Sequence, residues 1–290
     1  MEQRPYQHTP VMAKEVVEYL APAPGKVLVD CTLGGGGHAE KFKSQNLKVK
    51  IIGFDQDVEA IAAAKTRLAK YDNILYIHDN FANIKKHVRE KVDGILFDLG
   101  VSSYQIDAPD RGFSIRENGP LDMRMDKSQE FSAFDIVNTW SADDLTRIIK
   151  EYGEERFARR ISNAICVTRN AGEVKTTAEL KVIIEKAIPT WKKRESVTRV
   201  FQALRIAVNA ELDNLKKALS DSIELLKPGG RLVVISYHSL EDRIVKQLFR
   251  EEAKNGILKI MTKKPLTVSA EEIEANPRAR SAKLRVAEKL

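Results

Sequence analysis

Four glycines in a row, Gly34 to Gly37, set the first constraint on how this chain can fold. They lie in the stretch Asp30-Cys31-Thr32-Leu33-Gly34-Gly35-Gly36-Gly37-His38. A short apolar run, Lys26-Val27-Leu28-Val29, precedes it, and Ala39-Glu40-Lys41-Phe42 follows as the opening of a helix. Strand, glycine loop, helix is how an α/β protein cradles a nucleotide-like cofactor, because glycine takes dihedrals that other residues resist and lets the backbone approach a ligand. Gly34, Gly36 and Ala39 also fit the G-x-G-x-x-A dinucleotide fingerprint, so an NAD enzyme is one reading and a flexible glycine turn another.

The same alternation recurs downstream. Lys50-Ile51-Ile52-Gly53-Phe54-Asp55 reads as a strand, Val58 to Leu68 as a helix, Ile74 to His78 as a strand, Ile84 to Arg89 as a helix and Gly94 to Asp98 as a strand. Short apolar strands separated by helices imply a parallel sheet with crossover helices. Asp30, Asp55 and Asp98 stand at or near the carboxyl ends of three of these strands, the edge where open α/β sheets bind ligands. Before them, apolar residues at 12, 16, 17 and 20 form a helical stripe.

From about Ile106 to Arg199 no convincing strand is legible. Tyr152 to Thr168 reads as a helix with Phe157, Ile161, Ala164, Ile165 and Thr168 on one face and Arg156, Arg159 and Arg160 beside them. A long apolar stripe then runs from Val197 to Leu219. Leu226-Lys227-Pro228-Gly229-Gly230 ends a helix in a tight turn, and Arg231 to Ser236 resumes the sheet. Ala282, Leu284 and Val286 alternate with polar residues as a one-sided edge strand would. The domain expectation is a core of residues 1–105 and 200–290 with a helical insertion, 106–199, for substrate recognition.

Composition excludes some classes. No apolar run approaches the roughly 20 residues of a bilayer span, and Met1-Glu2-Gln3-Arg4-Pro5 lacks the apolar core of a secretory signal. Two cysteines, Cys31 and Cys166, do not make a disulfide framework and fit a cytoplasmic location. A net charge of +7 suits a polyanionic partner without requiring one. No Cys, His or carboxylate spacing demands a metal. The apolar stripes leave room for a homodimer.

Two features separate the enzyme readings. Asp30 closes the strand before the glycine loop, a position that dinucleotide dehydrogenases keep apolar, and Lys227-Pro228-Gly229-Gly230 resembles the turn before the fifth strand of class I S-adenosylmethionine-dependent methyltransferases. A longer resemblance follows in the blocks Asp98 to Asp107, Arg111-Gly112-Phe113-Ser114, Gly119-Pro120-Leu121-Asp122-Met123-Arg124-Met125-Asp126 and Tyr152 to Ile161. It continues through Phe201 to Ile206, Ile235-Ser236-Tyr237-His238-Ser239-Leu240-Glu241-Asp242-Arg243 and Asn276 to Arg285. From about His8 to Lys289 the chain resembles the bacterial small-subunit rRNA cytosine-N4 methyltransferases of the MraW family.

That resemblance implies a Rossmann-like class I methyltransferase fold with an inserted helical domain. It also implies methyl transfer from S-adenosylmethionine to the exocyclic N4 amine of a cytidine in the decoding region of 16S rRNA, within the ribosomal subunit. Carried over by position, the cofactor contacts are Gly36, Gly37, His38, Asp55, Phe81, Asp98 and Gln105. Asp98 is the expected acceptor toward the target amine, with His238 as helper. The fourth strand ends in Asp98-Leu99-Gly100-Val101, without the proline pair and stacking aromatic of many amino-methyltransferases. Basic candidates for RNA are Arg111, Arg124, Arg156, Arg160, Arg199, Arg243, Arg278 and Arg280, since guanidinium groups pair with phosphate and stack on bases. Glu195-Ser196 stands where the family has a His-Pro-like pair. Methyl transfer to another nucleic acid or small amine, and a non-catalytic RNA-binding role, are the alternatives.

Overall fold

The computed structural model describes residues 10–290; the N-terminal segment and His8 used above lie outside them. The chain divides into two compact units, one made of the residues up to Gly100 with Leu212–Leu290, the other of Val101–Glu211. The expected boundary at 199/200 falls inside a continuous helix, Lys193–Asn209.

The first unit is built on one mixed sheet of eight strands: β1 Val27–Asp30, β2 Lys50–Asp55, β3 Ile74–His78, β4 Val92–Asp98, β5 Leu226–Ser236, β6 Leu258–Ile260, β7 Leu266–Thr267 and β8 Lys283–Lys289. Their order is β3-β2-β1-β4-β5-β8-β6, with β7 paired to β8. Strands β1 to β5 run parallel, and β8 is antiparallel to its neighbours. This is the parallel sheet with crossover helices that the alternation implied, in the Rossmann-like arrangement that the resemblance implied. Strand order reverses at β1, which lies between β2 and β4, and in such sheets the crevice at the switch point receives the ligand.

Alternation of side chains along each strand supplies two cores. Val29, Phe54, Phe97 and Val234 enter a cluster with Leu215, Leu219, Val245 and Phe249 from helices Glu211–Leu225 and Ser239–Lys254. Leu28, Ile51, Leu96 and Val233 face the other way, against Val16, Leu20, Phe42, Ile61 and Ala64 from helices Ala13–Leu20, Gly37–Gln45 and Val58–Arg67. Helices on both faces bury both sides of the parallel strands, which explains their continuous apolar runs.

β8 corrects the edge-strand expectation. It lies between β5 and β6, and Leu284, Arg285, Val286 and Ala287 are all buried. Arg285 is tolerated there because Asp242 takes Nε at 2.7 Å and Nη2 at 3.2 Å.

The second unit is helical, with Ala133–Thr139, Ala142–Glu151, Ala158–Arg169, Thr177–Ala187 and Lys193–Asn209 enclosing Ile148, Ile161, Ile165, Leu180, Ile184 and Leu204. The helix expected from Tyr152 begins at Ala158, since Glu154 takes a left-handed φ of 49°. The stripe from Val197 to Leu219 is likewise two helices, separated at Ala210 with φ 48°.

Candidate cofactor and active site

The glycine loop turns back on the sheet end through its own backbone. The Leu33 amide donates to the Phe54 carbonyl and the Gly36 amide to the Leu33 carbonyl, both at 2.8 Å. Gly36 precedes helix Gly37–Gln45 with φ 78°, and a Cβ there would lie 2.9 Å from Leu68 Cδ1. Only glycine meets both conditions. Gly37 begins the helix, where a Cβ would press on Pro10 at 3.3 Å. The helix start therefore offers backbone amides in a cradle without side-chain bulk.

Three acids ring this cradle. Asp55, ending β2, accepts from the Gly34 amide on Oδ2 at 2.8 Å and from the Asp57 amide on Oδ1 at 2.9 Å. Burial raises its pKa to about 6 against the lowering effect of those two amides. Asp30, ending β1, is 1% exposed; it accepts from the Thr32 amide at 3.2 Å, while its Oδ2 has no hydrogen-bond partner. Burial raises its pKa to about 7, with His38 opposing and the charges of Asp98 and Asp55 adding to the rise. Those couplings place Asp30, His38, Asp55 and Asp98 in one electrostatic group.

Asp98, ending β4, is held through both its backbone and its side chain. Its backbone amide donates to Thr32 Oγ1 at 2.7 Å, and its Oδ1 accepts from the Tyr237 hydroxyl at 2.8 Å. His38 Nε2 stands 3.4 Å from Asp98 Oδ2, and neither ring nitrogen makes a hydrogen bond. The imidazole stacks on Phe42 at 6.5 Å between centroids. Tyr237 follows β5, whose Ile235 pairs with Asp98 in parallel register. Gly100, beside the Tyr237 ring, takes a φ of 94°, which favours glycine. The loop after β5 thus brings an aromatic residue to the end of β4. Burial and the Asp98 charge hold the Tyr237 hydroxyl well above its usual pKa, so it remains a donor.

His238 caps helix Ser239–Lys254. Its Nδ1 accepts from the Glu241 amide at 3.4 Å, while Glu241 Oε2 accepts from the Tyr237 and His238 amides at 2.8 and 3.3 Å. That is a reciprocal capping arrangement, and it fixes the loop carrying Tyr237.

The remaining sequence candidates are scattered. Phe81 starts a short 3-10 turn and meets Phe97 edge-on at 5.5 Å. Gln105 belongs to the second unit, where its side chain accepts from the Ser102 amide at 3.1 Å. Arg111, only 2% exposed, donates to the carbonyls of Arg124 and Met125 at 3.1 and 3.0 Å. Such burial makes it a strut of its loop and not the RNA contact that its type suggested. Arg124 forms a bidentate pair with Asp122, both bonds 2.8 Å. Arg199 is engaged by Glu195 at 2.7 Å and by the Glu154 carbonyl at 3.1 Å. Arg156, Arg160, Arg243, Arg278 and Arg280 are exposed.

Sequence reasoning placed Asp30 at the ligand-binding edge but missed Tyr237 and Thr32 as members of the site. Tyr237 follows an apolar strand and lies in one of the blocks that carry the family resemblance, but neither points to Asp98, which lies 139 residues earlier.

These residues now have a family context. A model of the MraW methylase family matches residues 5–290. A ribosomal RNA small subunit methyltransferase H from Halothermothrix orenii is 50% identical over 98% of this chain and 99% of its own length. Proteins with that name from Finegoldia magna and Clostridioides difficile are 48% and 47% identical, with the same coverage. With a family model spanning nearly the whole chain and full-length relatives this similar, the chain belongs to the MraW methylase family.

Proposed function

We propose that this protein transfers a methyl group from S-adenosylmethionine to the exocyclic N4 amine of a cytidine in the decoding region of small-subunit rRNA. The name carried by its relatives supports an rRNA substrate. The observation that carries the chemistry is Asp98, held at the end of β4 by Thr32 and Tyr237 beside the glycine cradle.

The cofactor fits what the site offers. Gly36, at φ 78°, turns the loop back without a side chain, and Asp30 Oδ2 and both His38 nitrogens are buried without a hydrogen bond, as groups awaiting a polar ligand would be. S-adenosylmethionine, when bound, supplies a methyl group already activated on sulfonium. Asp55 accepts from the ribose hydroxyls, Gly36 and Gly37 admit the methionine part, and Phe81 offers an aromatic surface to adenine.

A cytosine amine is a weak nucleophile because its lone pair is delocalised into the ring. Asp98 accepts a hydrogen bond from that amine, localises the lone pair and takes the proton released as the new N–C bond forms. The Tyr237 hydroxyl orients Asp98, and His238 acts through the capped loop that holds Tyr237. In-line positioning supplies much of the remaining rate. The cytidine is flipped from its surroundings to reach the cofactor, at a cost of a few kcal/mol. Exposed Arg160, Arg243, Arg278 and Arg280, with Arg199, hold phosphates.

The test is tritiated methyl transfer to small ribosomal subunits from cells lacking the modification, followed by nucleoside analysis. Label in N4-methylcytidine is expected. Label in another nucleoside would move the target. Cofactor binding without transfer to any RNA would leave a non-catalytic role.

A further inference from the structure

We propose that Trp191 and Arg156 form an RNA contact of the helical unit, a stacking platform for an unpaired nucleobase with cations beside it for the adjoining phosphates. The proposal rests on the rRNA reading above and adds a place where the strand is held.

Trp191 sits in the 3-10 turn Thr190–Lys192 after Pro189 and is 71% exposed. The other tryptophan, Trp140, is partly buried and stacked on Phe131 at 6.0 Å. So large an aromatic surface left in water within a helical unit that has its own apolar core calls for a partner. Its surroundings choose the partner's chemistry. The Arg156 guanidinium lies 5.2 Å from the Trp191 centroid and 4.7 Å from that of Phe157, between two aromatic rings. Lys192 Nζ is also 5.2 Å from the indole centroid. Lys193 and Arg194 follow in sequence. Glu195, the carboxylate nearest Trp191 in sequence, is tied by Lys192 and Arg199, and Arg156 itself follows Glu154 and Glu155, of which Glu155 is buried.

An apolar protein ligand would seek an apolar rim around the indole, whereas this rim is cationic. A nucleobase offers a π-face to the indole and a phosphate to the cations. Lys192, on its flexible stem, can exchange its exposed pair with Glu195 for a phosphate.

Trp140→Phe leaves Trp191 as the single tryptophan, so its emission reports the site directly. Titration with a short single-stranded oligocytidylate should quench that emission, while the same strand in a duplex should not. Trp191→Ala should weaken binding of the single strand, followed by anisotropy of a labelled oligonucleotide, about tenfold. Trp191→Phe should recover most of the loss. Arg156→Gln should lower the salt slope of binding by about one. In methyl transfer to small subunits, Trp191→Ala should raise KM more than it lowers kcat.

Oligonucleotide binding with unchanged Trp191 emission, or Trp191→Ala binding RNA like the parent protein, would overturn the platform. Emission that responds to ribosomal proteins and not to RNA would overturn it in favour of a protein contact. Quenching by RNA together with no methyl transfer would sustain the platform and reject the catalytic reading, so the two failures are distinct.

Discussion

Tyr237 donates its hydroxyl hydrogen to Asp98 Oδ1 at 2.8 Å, joining the loop after β5 to the end of β4. The bond commits one carboxylate oxygen to a neutral donor, and the other stands 3.4 Å from His38 Nε2. Asp98→Asn keeps the size and loses the proton acceptor, so kcat should fall by roughly 10²–10⁴. Tyr237→Phe keeps the ring against Gly100, and Thr32 still holds the Asp98 backbone, so its loss should stay within about tenfold. Single-turnover methyl transfer measures both. An Asp98→Asn enzyme as fast as its parent would remove Asp98 from the chemistry.

Asp30 links stability to pH. Its pKa rises from 3.8 to about 7 in the folded protein, mainly through burial. The folded state therefore holds a proton that the unfolded state has lost between those values. Stability from this group is greatest near pH 4 and declines as pH climbs toward 7, by on the order of 4 kcal/mol at most. Asp30→Asn, which cannot ionise, should be more stable than the parent at pH 8 and close to it at pH 4. Urea unfolding at the two pH values tests this, and a stability difference independent of pH would refute it.

Gly36→Ala should damage the cradle and the fold together. The φ of 78° strains any L side chain, and the new methyl would meet Leu68 Cδ1 at 2.9 Å. A loss of about 1–3 kcal/mol is expected. Cofactor affinity by calorimetry should drop as well; Gly25→Ala is the control, since φ is 78° there and nothing lies within 4 Å. Equal behaviour of the two variants would show that the Leu68 contact is immaterial.

Arg285 and Asp242 form a buried pair, their side chains 10% and 14% exposed. Arg285→Met alone strands the Asp242 carboxylate and should cost about 3–5 kcal/mol, whereas Arg285→Met with Asp242→Leu should recover most of that. Denaturant midpoints of the two variants and the parent decide it. A double variant no better than the single one would mean that the pair's packing, and not its charge, holds β8.

Local pattern was enough for much of this molecule. Apolar runs of strand length separated by helical spacing determined the parallel α/β sheet, and the acids that close three of them put Asp30, Asp55 and Asp98 at one end of it, because strand and helix periodicity are properties of neighbouring residues. The glycines before His38 marked the close-packed loop for the same reason. Tertiary structure decided what depends on distant pairing. Charged residues alternating along β8 suggested an edge, yet Asp242 neutralises Arg285 and lets the strand lie inside the sheet. Arg111 looked like a ligand for phosphate until burial gave it two backbone carbonyls. Tyr237 met Asp98 only because β5 pairs with β4 in the register that sets Ile235 beside Asp98. Register between strands so far apart in the chain is fixed by the packed core on both faces of the sheet, and no local spacing records it.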